Sequence, residues 1–280
     1  MISNVGDDLY WHGLRVCPDL DSVTYALAGL WDSGRGWGVR NETFHVRDAL
    51  ADRDGPEWFN VGDRDLALHL LRSERLRAGR PLSDTTRELL PRLGVTGVDV
   101  LPASDEPAET RVLLEDGRLL HFQEWYVGEG AKPELAEVRL AGGKASEASV
   151  EAIERAGTVI LGPSNPVTSI GAILALAGIE EAVRQVPRRV AVSPVVSSVP
   201  MEDAGARHHA NARERALATL GRSDTPGDIA GMYAGLAGEF VVDHADSQHV
   251  EEVRWAGLEP IRADLLDARA LARTLADLTG

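Results

Sequence analysis

Apolar positions recur at helical spacing in three stretches of the first hundred residues. Residues 19–30 place acidic side chains ahead of apolar positions three or four apart and a glycine near the end, which predicts a helix. Leu66–Arg77 carries its apolar positions on one face, and Ser83 is suited to cap a further helix that runs to Leu93. Between them, Trp31–Phe59 has no clean period, so we predict a loop with short helical pieces.

Shorter apolar runs predict strands. Met1–Val5 has the pattern of a strand end that enters an acidic loop, and Val98–Leu101 predicts a short strand. A hairpin joined by Asp116-Gly117 and one further strand are predicted after it: Arg111–Glu115, Arg118–Phe122 and Val138–Leu140.

Strands alternate with helices in the second half of the chain. The predicted elements are helix Ser149–Arg155, strand Thr158–Leu161, helices Ile170–Leu176 and Glu180–Gln185, strands Val190–Val192 and Phe240–Asp243, and helix Leu265–Leu278. This alternation predicts an α/β fold, a Rossmann-like and mostly parallel sheet wrapped by helices. We predict one domain over residues 1–280, with a helical and β-hairpin cap inserted at roughly 31–145.

Composition narrows the classes of function. The 280 residues are 44% hydrophobic, which is enough for a sizeable core, and carry a formal net charge of -15. That charge disfavours nucleic acids and anionic membranes as partners and favours small molecules. The single cysteine, Cys17, excludes an intramolecular disulfide framework. With no apolar run of roughly 20 residues, we expect a soluble cytoplasmic protein without membrane contact.

Residues 162–171 follow a buried-type strand and enter a helix. Their backbone amides and hydroxyls are suited to bind a phosphate, because the N–H groups at a helix N-terminus lack partners. The alternative is a tight turn that needs glycine, proline and caps for folding alone. The position at the carboxyl edge of a parallel strand favours ligand binding.

Four carboxylates lie in two neighbouring loops. Asp7 and Asp8 belong to Asn4–Asp8, and Asp19 and Asp21 begin the first predicted helix. Carboxylate oxygens of this kind suit Mg²⁺. The alternative is that the acids are solvated helix caps.

Two further motifs carry polar side chains beside helices or strands. In Gly62–Asp65, Arg64 could clamp a phosphate, whereas an N-cap box with an internal ion pair is the alternative, favoured for Asp65 and open for Asp63. In His121–Trp125, an aromatic ring could stack on a flat heterocycle or could cover the core.

Taken together, eight segments occur in the order found in one family. They are Asn4-Val5-Gly6-Asp7-Asp8, Pro18-Asp19-Leu20-Asp21, Gly36-Trp37-Gly38, Asn41-Glu42-Thr43-Phe44, Gly62-Asp63-Arg64-Asp65-Leu66-Ala67, Leu101-Pro102-Ala103-Ser104-Asp105-Glu106, Phe122-Gln123-Glu124-Trp125 and residues 162–171. From residue 4 to about residue 195 the chain resembles the CofD/FbiA family. Trp11-His12-Gly13 and residues 38–43 are most similar to the actinobacterial branch.

The resemblance implies a transferase of coenzyme F-420 biosynthesis. Such an enzyme moves a phospholactyl or phosphoenolpyruvyl group from a guanosine diphosphate conjugate to the terminal ribityl hydroxyl of the deazaflavin Fo, releases GMP and uses Mg²⁺. It also suggests a homodimer. By resemblance, Asp21 orients or deprotonates the Fo hydroxyl, and Asp7 and Asp8 serve the metal and the diphosphate. The substrate-binding residues implied are Asn41, Glu42, Thr43, Asn60, Asp63, Arg64, Gln123, Trp125, and for the donor nucleotide Ser164, Asn165 and Ser169.

Two departures from the family pattern keep other functions open. The family begins with a strand and a Gly-Gly-x-Gly-Gly loop that binds the donor phosphates, whereas here the acidic loop stands at residues 4–8. After Ser193-Pro194 the family carries a Lys/Arg-Gly segment, whereas Val199–Asp203 is apolar and acidic, with Arg207 a possible substitute. The alternatives are a non-catalytic paralogue that binds a nucleotide or deazaflavin, and the sugar-nucleotide-binding regulators, which the Asp63 and Glu124 motifs disfavour.

Overall fold

The computed structural model describes residues 1–197, 199, 201 and 203–279. Pro200 and Glu202, from the apolar and acidic segment predicted over Val199–Asp203, lie outside the described residues. Packing divides the chain into two compact units, Met1–Ser149 and Val150–Gly280. The single domain with a cap inserted at roughly 31–145 stays a prediction.

The first unit combines short strands with a helical layer. Its strands are β1 (Ile2–Ser3), β2 (Leu9–Trp11), β3 (Leu14–Val16), β4 (Leu101–Pro102), β5 (Arg111–Leu114), β6 (Leu119–His121), β7 (Leu135–Arg139) and β8 (Gly143–Lys144). Its helices are α1 (Pro18–Leu27), α2 (His45–Ala51), α3 (Asp63–Arg77) and α4 (Leu82–Leu89), with a 3₁₀ turn at Leu90–Leu93 and a π-helical turn at Glu124–Gly128. Helix α5 (Glu147–Glu154) crosses the boundary between the units.

The first unit contains one hairpin that was predicted and one that was not. The strands β5 and β6 form the predicted antiparallel hairpin, and β7 pairs with the other side of β5. A hairpin that was not predicted joins β2 to β3 through His12 and Gly13, both at positive φ (49° and 75°), the geometry of a type I′ turn. Strand β1 pairs with β4 in parallel, and the acidic loop follows β1 directly along the chain.

Some predicted boundaries in the first unit were wrong. Ser83 does not cap the helix, because α4 already begins at Leu82 and the Ser83 N–H donates to the carboxylate of Asp105. The predicted strand Val98–Leu101 is present only from Leu101 onward, and Val98 is exposed.

The second unit is a parallel sheet flanked by helices. Its strands are β9 (Thr158–Leu161), β10 (Leu176–Ala177), β11 (Arg188–Val192), β12 (Glu239–Asp243) and β13 (Glu259–Ala263). Its helices are α6 (Ile170–Leu174), α7 (Ile179–Gln185), α8 (Ala204–Ala218), α9 (Pro226–Met232), α10 (Val250–Trp255) and α11 (Ala268–Thr279), with a 3₁₀ turn at His244–His249. The strand order β13-β12-β11-β9 is parallel throughout, so the predicted α/β class is confirmed.

Each unit has its own apolar core. In the first, Tyr25, Val39, Leu68 and Leu89 pack together from α1, the following loop, α3 and α4. In the second, leucines of α11 cover a buried patch of the sheet formed by Val190, Val192, Val241 and Ala263. Among the described residues, no helix has the length and apolarity to span a bilayer.

Candidate functional site

The side chain of Asn4 organises the acidic loop that follows β1. Its amide nitrogen donates to Asp7 Oδ1 at 2.9 Å and to Asp19 Oδ2 at 2.8 Å, while its amide oxygen accepts from the Gly6 N–H at 2.7 Å. One side chain therefore fixes the turn of the loop and draws two carboxylates together. The acids come from different elements, because Asp7 lies in the loop and Asp19 in the first turn of α1.

A second amide completes the surroundings of Asp7. Gln123, just before the π-helical turn, donates through Nε2 to Asp7 Oδ2 at 2.6 Å, and it is itself buried. Tyr126 of the same turn stacks on Phe122, with ring centroids 5.5 Å apart, and its pKa is raised by burial and by the charges of Asp7 and Asp19. The structure thus brings the predicted residues Gln123 and Asp7 together.

The pair joins a buried acid, Asp7, to a half-buried one, Asp19. Burial raises the pKa of Asp7 well above its ordinary value, and the nearby Asp19 carboxylate raises it further. Burial also raises the pKa of Asp19. Neither acid forms a salt bridge with Lys or Arg in the described part of the chain. A pair of carboxylates held only by amides gains the most from a cation that binds both.

Asp8 has a different environment from its neighbour. Arg15 of β3 donates to Asp8 Oδ2 through Nε at 3.0 Å and Nη2 at 2.7 Å, and both side chains are buried. Burial raises the pKa of Asp8 to about 6, and Arg15 opposes that rise. Among the residues that the structure describes, Asp8 Oδ1 has no hydrogen-bond partner. The predicted Asp7 and Asp8 metal pair stays a prediction, and the structure joins Asp7 to Asp19 instead.

Asp21 lies in a buried ion-pair network between α1 and α3. Arg72 Nη1 donates to Asp21 Oδ2 at 2.9 Å, and Arg72 Nη2 contacts Asp21 Oδ1, so the pair is bidentate. His69, one turn earlier on the same face of α3, places Nδ1 3.7 Å from Asp21 Oδ2. Asp65, four residues before His69, accepts a hydrogen bond from the Tyr25 hydroxyl at 2.5 Å.

The Glu42 side chain caps the start of α3, and the Asp63 side chain caps the start of α2. The Glu42 carboxylate accepts from the N–H groups of Arg64 and Asp65 at the start of α3. The Asp63 carboxylate accepts from the Thr43 hydroxyl and from the N–H groups of His45 and Val46 at the start of α2. These contacts favour the capping interpretation for Asp63, which caps α2, and give Glu42 a capping role that was not predicted. The N-cap interpretation favoured for Asp65 was wrong, because its carboxylate accepts from the Tyr25 hydroxyl instead.

The remaining predicted residues of the first unit are placed separately. Asn41 is exposed and has a positive φ of 56°. Asn60 Oδ1 accepts from Arg47 Nη1 at 3.2 Å, and the Arg64 side chain is exposed. Trp125 is fully buried and donates its indole N–H to the Pro133 carbonyl at 2.9 Å. A ring without exposed surface favours core packing over stacking on a ligand.

Ser164, Asn165 and Ser169 lie in the second unit, in the turn between β9 and α6. Asn165 Oδ1 accepts from the N–H groups of Val167 and Thr168 at 2.9 and 3.1 Å, so its side chain shapes this turn. Ser169 is the N-cap residue of α6 but makes no side-chain cap bond. Both serines are half-buried.

Sequence reasoning missed the basic and imidazole groups of the site. His69 and Arg72 are buried on the inner face of α3, and Arg15 is buried on β3. The signal for His69 and Arg72 is an ionisable residue at a position of α3 where the helical period predicts an apolar one. Sequence patterns do not show which acid each of them contacts.

The sequence model of the family described as 2-phospho-L-lactate transferase CofD matches residues 1–278. The chain belongs to the CofD family. A protein named phosphoenolpyruvate transferase from Mycolicibacterium smegmatis is 39% identical and aligns over 100% of this chain and 87% of its own length. One of the same name from Streptomyces coelicolor is 40% identical over 96% of this chain and 86% of its own length.

Solved structures show the same fold at low sequence identity. A protein of the UPF0052 family from Bacillus halodurans superposes with a TM-score of 0.56 and 17% identity, over 99% of this chain and 89% of that protein. This similarity supports the α/β architecture. The CofD family and the names of the relatives place the protein among the transferases of coenzyme F-420 biosynthesis.

Proposed function

We propose that this protein transfers a phosphoenolpyruvyl group from a guanosine diphosphate conjugate to the terminal ribityl hydroxyl of Fo and releases GMP. The hydroxyl oxygen attacks the phosphorus that carries the enolpyruvyl group, the hydroxyl proton passes to solvent water, and the bond from that phosphorus to the bridging oxygen breaks, so that GMP leaves with that oxygen. The names of the mycobacterial and Streptomyces relatives support the enolpyruvyl donor. The phospholactyl donor is the alternative that the assay below distinguishes.

The observation that carries this proposal is the pair of carboxylates of Asp7 and Asp19, which accept hydrogen bonds from the same Asn4 amide. Both are oxygen ligands, their pKa values are raised by burial, and Asn4 donates to both. This donor set fits Mg²⁺, which prefers carboxylate oxygens and keeps sites open for water and phosphate. Bound Mg²⁺ would neutralise charge on the diphosphate of the donor. We propose Asp7 and Asp19, which share the Asn4 amide, as the residues that hold it.

The protein groups then position the acceptor and the donor. Asp21, fixed by Arg72, would accept a hydrogen bond from the Fo hydroxyl and hold it for attack. The exposed Arg64 would bind a phosphate oxygen, and Asn60 would contact Fo. We assign the donor nucleotide to Ser164, Asn165 and Ser169, whose turn follows β9 and leads into α6.

Five further residues have supporting roles in our proposal. Gln123 holds Asp7 through the 2.6 Å hydrogen bond. Glu42, Thr43 and Asp63 hold the starts of α2 and α3, which carry Arg47 and Arg64. Asn41 is exposed, so it is available to a ligand.

The test is a mass-spectrometric assay with Fo, Mg²⁺ and either the enolpyruvyl or the lactyl guanosine diphosphate conjugate. We expect the phosphoenolpyruvyl product and GMP in equal amounts, and little product from the lactyl donor. Folded protein that yields no product from either donor contradicts the transferase proposal. Binding of Fo or guanine nucleotide without turnover would favour the non-catalytic paralogue.

We also propose a homodimer, which the resemblance suggests. Size-exclusion chromatography with light scattering would give twice the chain mass. A monomer mass at the concentrations used in the assay contradicts it.

A further inference from the structure

His69 is a buried ionisable side chain of the site that has no role in the proposed function. It is 1% exposed, on the face of α3 that packs on β3. Its two ring nitrogens face different partners. Nδ1 lies 3.3 Å from Arg72 Nη1, and Nε2 lies 3.1 Å from Asp65 Oδ1.

The donors and acceptors around the ring select one tautomer. A guanidinium nitrogen can only donate, so Nδ1 must accept from Arg72. The proton therefore resides on Nε2, which lies 3.1 Å from Asp65 Oδ1, although the angle at this contact does not meet hydrogen-bond geometry. An imidazolium would place an N–H against the N–H of Arg72, and its Nδ1 would be 3.7 Å from Asp21, too far for a hydrogen bond.

Arg72 links this ring to Asp21. Its Nη1 group donates to Asp21 Oδ2 at 2.9 Å and also contacts the Arg15 carbonyl at 3.4 Å and His69 Nδ1. Without an acceptor at Nδ1, the guanidinium could turn about its long axis and carry the carboxylate with it. At the other end, Asp65 is held by Tyr25 through the 2.5 Å hydrogen bond.

We propose that His69 is a positioning residue that fixes the Arg72 guanidinium, and through it the Asp21 carboxylate, by accepting at Nδ1. This inference rests on the proposed function, in which Asp21 holds the acceptor hydroxyl. In this proposal the ring acts through Arg72 and not on the substrate directly. The bond that matters is the one from Arg72 to Nδ1, which also sets the tautomer, and the carboxylate of Asp65 lies beside the proton on Nε2.

Two substitutions separate the nitrogens of the ring. The carboxamide of His69→Asn reaches the Nδ1 position and can accept from Arg72, whereas that of His69→Gln reaches the Nε2 position and can donate to Asp65. We expect His69→Asn to retain kcat within about threefold, and His69→Gln to lower kcat by about 10- to 100-fold, with the KM for Fo nearly unchanged. His244→Gln, the same exchange at an exposed site, serves as the control.

The ring nitrogens of the wild-type protein provide a readout that does not depend on activity. ¹⁵N spectra of protein labelled on its eight histidines, with the His69 signals identified by their absence in His69→Asn, should show the neutral Nε2–H tautomer. The Nδ1–H tautomer or an imidazolium at neutral pH would overturn the inference, whether or not the protein turns over Fo. Equal kcat for the Gln and Asn variants in an active enzyme would overturn it too. An inactive wild type with the Nε2–H tautomer contradicts the proposed function and leaves the tautomer assignment supported.

Discussion

At the scale of single residues, the chemistry of each acid in the site depends on which side chain it contacts. Asp8 faces an arginine, Asp7 faces two amides, and Asp21 faces a bidentate guanidinium. Adjacent carboxylates therefore have different chemistry. An ion pair offsets the energetic cost of burying a charged carboxylate, whereas a hydrogen bond from a neutral amide offsets only part of it. Glycine contributes at this scale as well. Gly62 leaves room for the Glu42 side chain to reach the start of α3.

Gly62→Ala should destabilise the protein. A Cβ at position 62 would lie 1.9 Å from Cγ of Glu42, so Glu42 must leave its cap, at a cost of about 1 to 2 kcal/mol in the free energy of unfolding. Urea denaturation measures the change. Gly142→Ala, where no atom of the described residues lies within 4 Å of the added Cβ, is the matched control and should be near neutral. In a Glu42→Ala background the Gly62→Ala change should cost much less, and an undiminished cost would show that the clash lies elsewhere.

Asp7→Asn should stabilise the metal-free protein at neutral pH. An aspartate has a pKa of about 3.9 in the unfolded chain, and burial raises the pKa of Asp7 in the folded state. Between these two values the folded protein binds more protons, so the contribution of Asp7 to stability is full below about pH 4 and is lost as the pH rises through the folded value.

Denaturation curves of both proteins from pH 4 to pH 8, without divalent cations, test this prediction. The difference in the free energy of unfolding should grow with pH in favour of Asp7→Asn, by about 1.4 kcal/mol for each tenfold weakening of the acid. A difference that does not change with pH would show that Asp7 ionises as freely in the folded protein as in the unfolded chain.

At the scale of elements, the first unit is organised by helix ends as much as by helix faces. The short helix α2 has no buried residue, so apolar packing contributes little to it. Its start is instead held by Asp63, the first residue of α3. The pKa of Asp63 is lowered, first by the Thr43 hydroxyl and then by the N–H of Val46, which shows that the charged form is the one bound.

Asp63→Ala should therefore unfold α2 locally and leave α3 in place. Hydrogen exchange followed by mass spectrometry should show faster exchange over residues 45–51 and unchanged exchange over the second half of α3. Asp277→Ala, at an exposed position of α11, is the control. Loss of protection along the whole of α3 would mean that the two helices unfold together.

At the scale of the whole molecule, the periodicity of apolar residues predicted the sheet and its flanking helices but not which site residues contact each other. Alternating strands and helices revealed the parallel sheet of the second unit, whereas α8 was missed because its buried face consists largely of alanine, as at Ala210, Ala212 and Ala216. The β2–β3 hairpin was missed because its strands have only 3 residues each. The pairing of Asp7 with Asp19 depends on where Asn4 points, which no local pattern encodes.

Mg²⁺ should stabilise the whole molecule, and more so at higher pH. A ligand that binds only the folded state adds about 2.7 kcal/mol at a concentration 100-fold above its Kd, and protons compete for Asp7 and Asp19 because their pKa values are raised. Thermal melts with MgCl₂ at pH 5.5 and 7.5, against KCl of equal ionic strength, measure the effect. Asp7→Asn should abolish it. A shift in Tm that survives in Asp7→Asn would place the cation at another site.

The contacts by which Asp63 caps α2 and Glu42 caps α3 also affect how this protein tolerates changes of length. The contact between Thr43 and Asp63 spans 20 positions, so both ends of the intervening segment are pinned to each other. Closing a longer loop costs only about 0.6 kcal/mol for each doubling of its length. Insertions and deletions among relatives, and peptide tags added by engineers, should therefore accumulate at residues 52–57, where the exposed chain leaves α2, and avoid the two pinned ends.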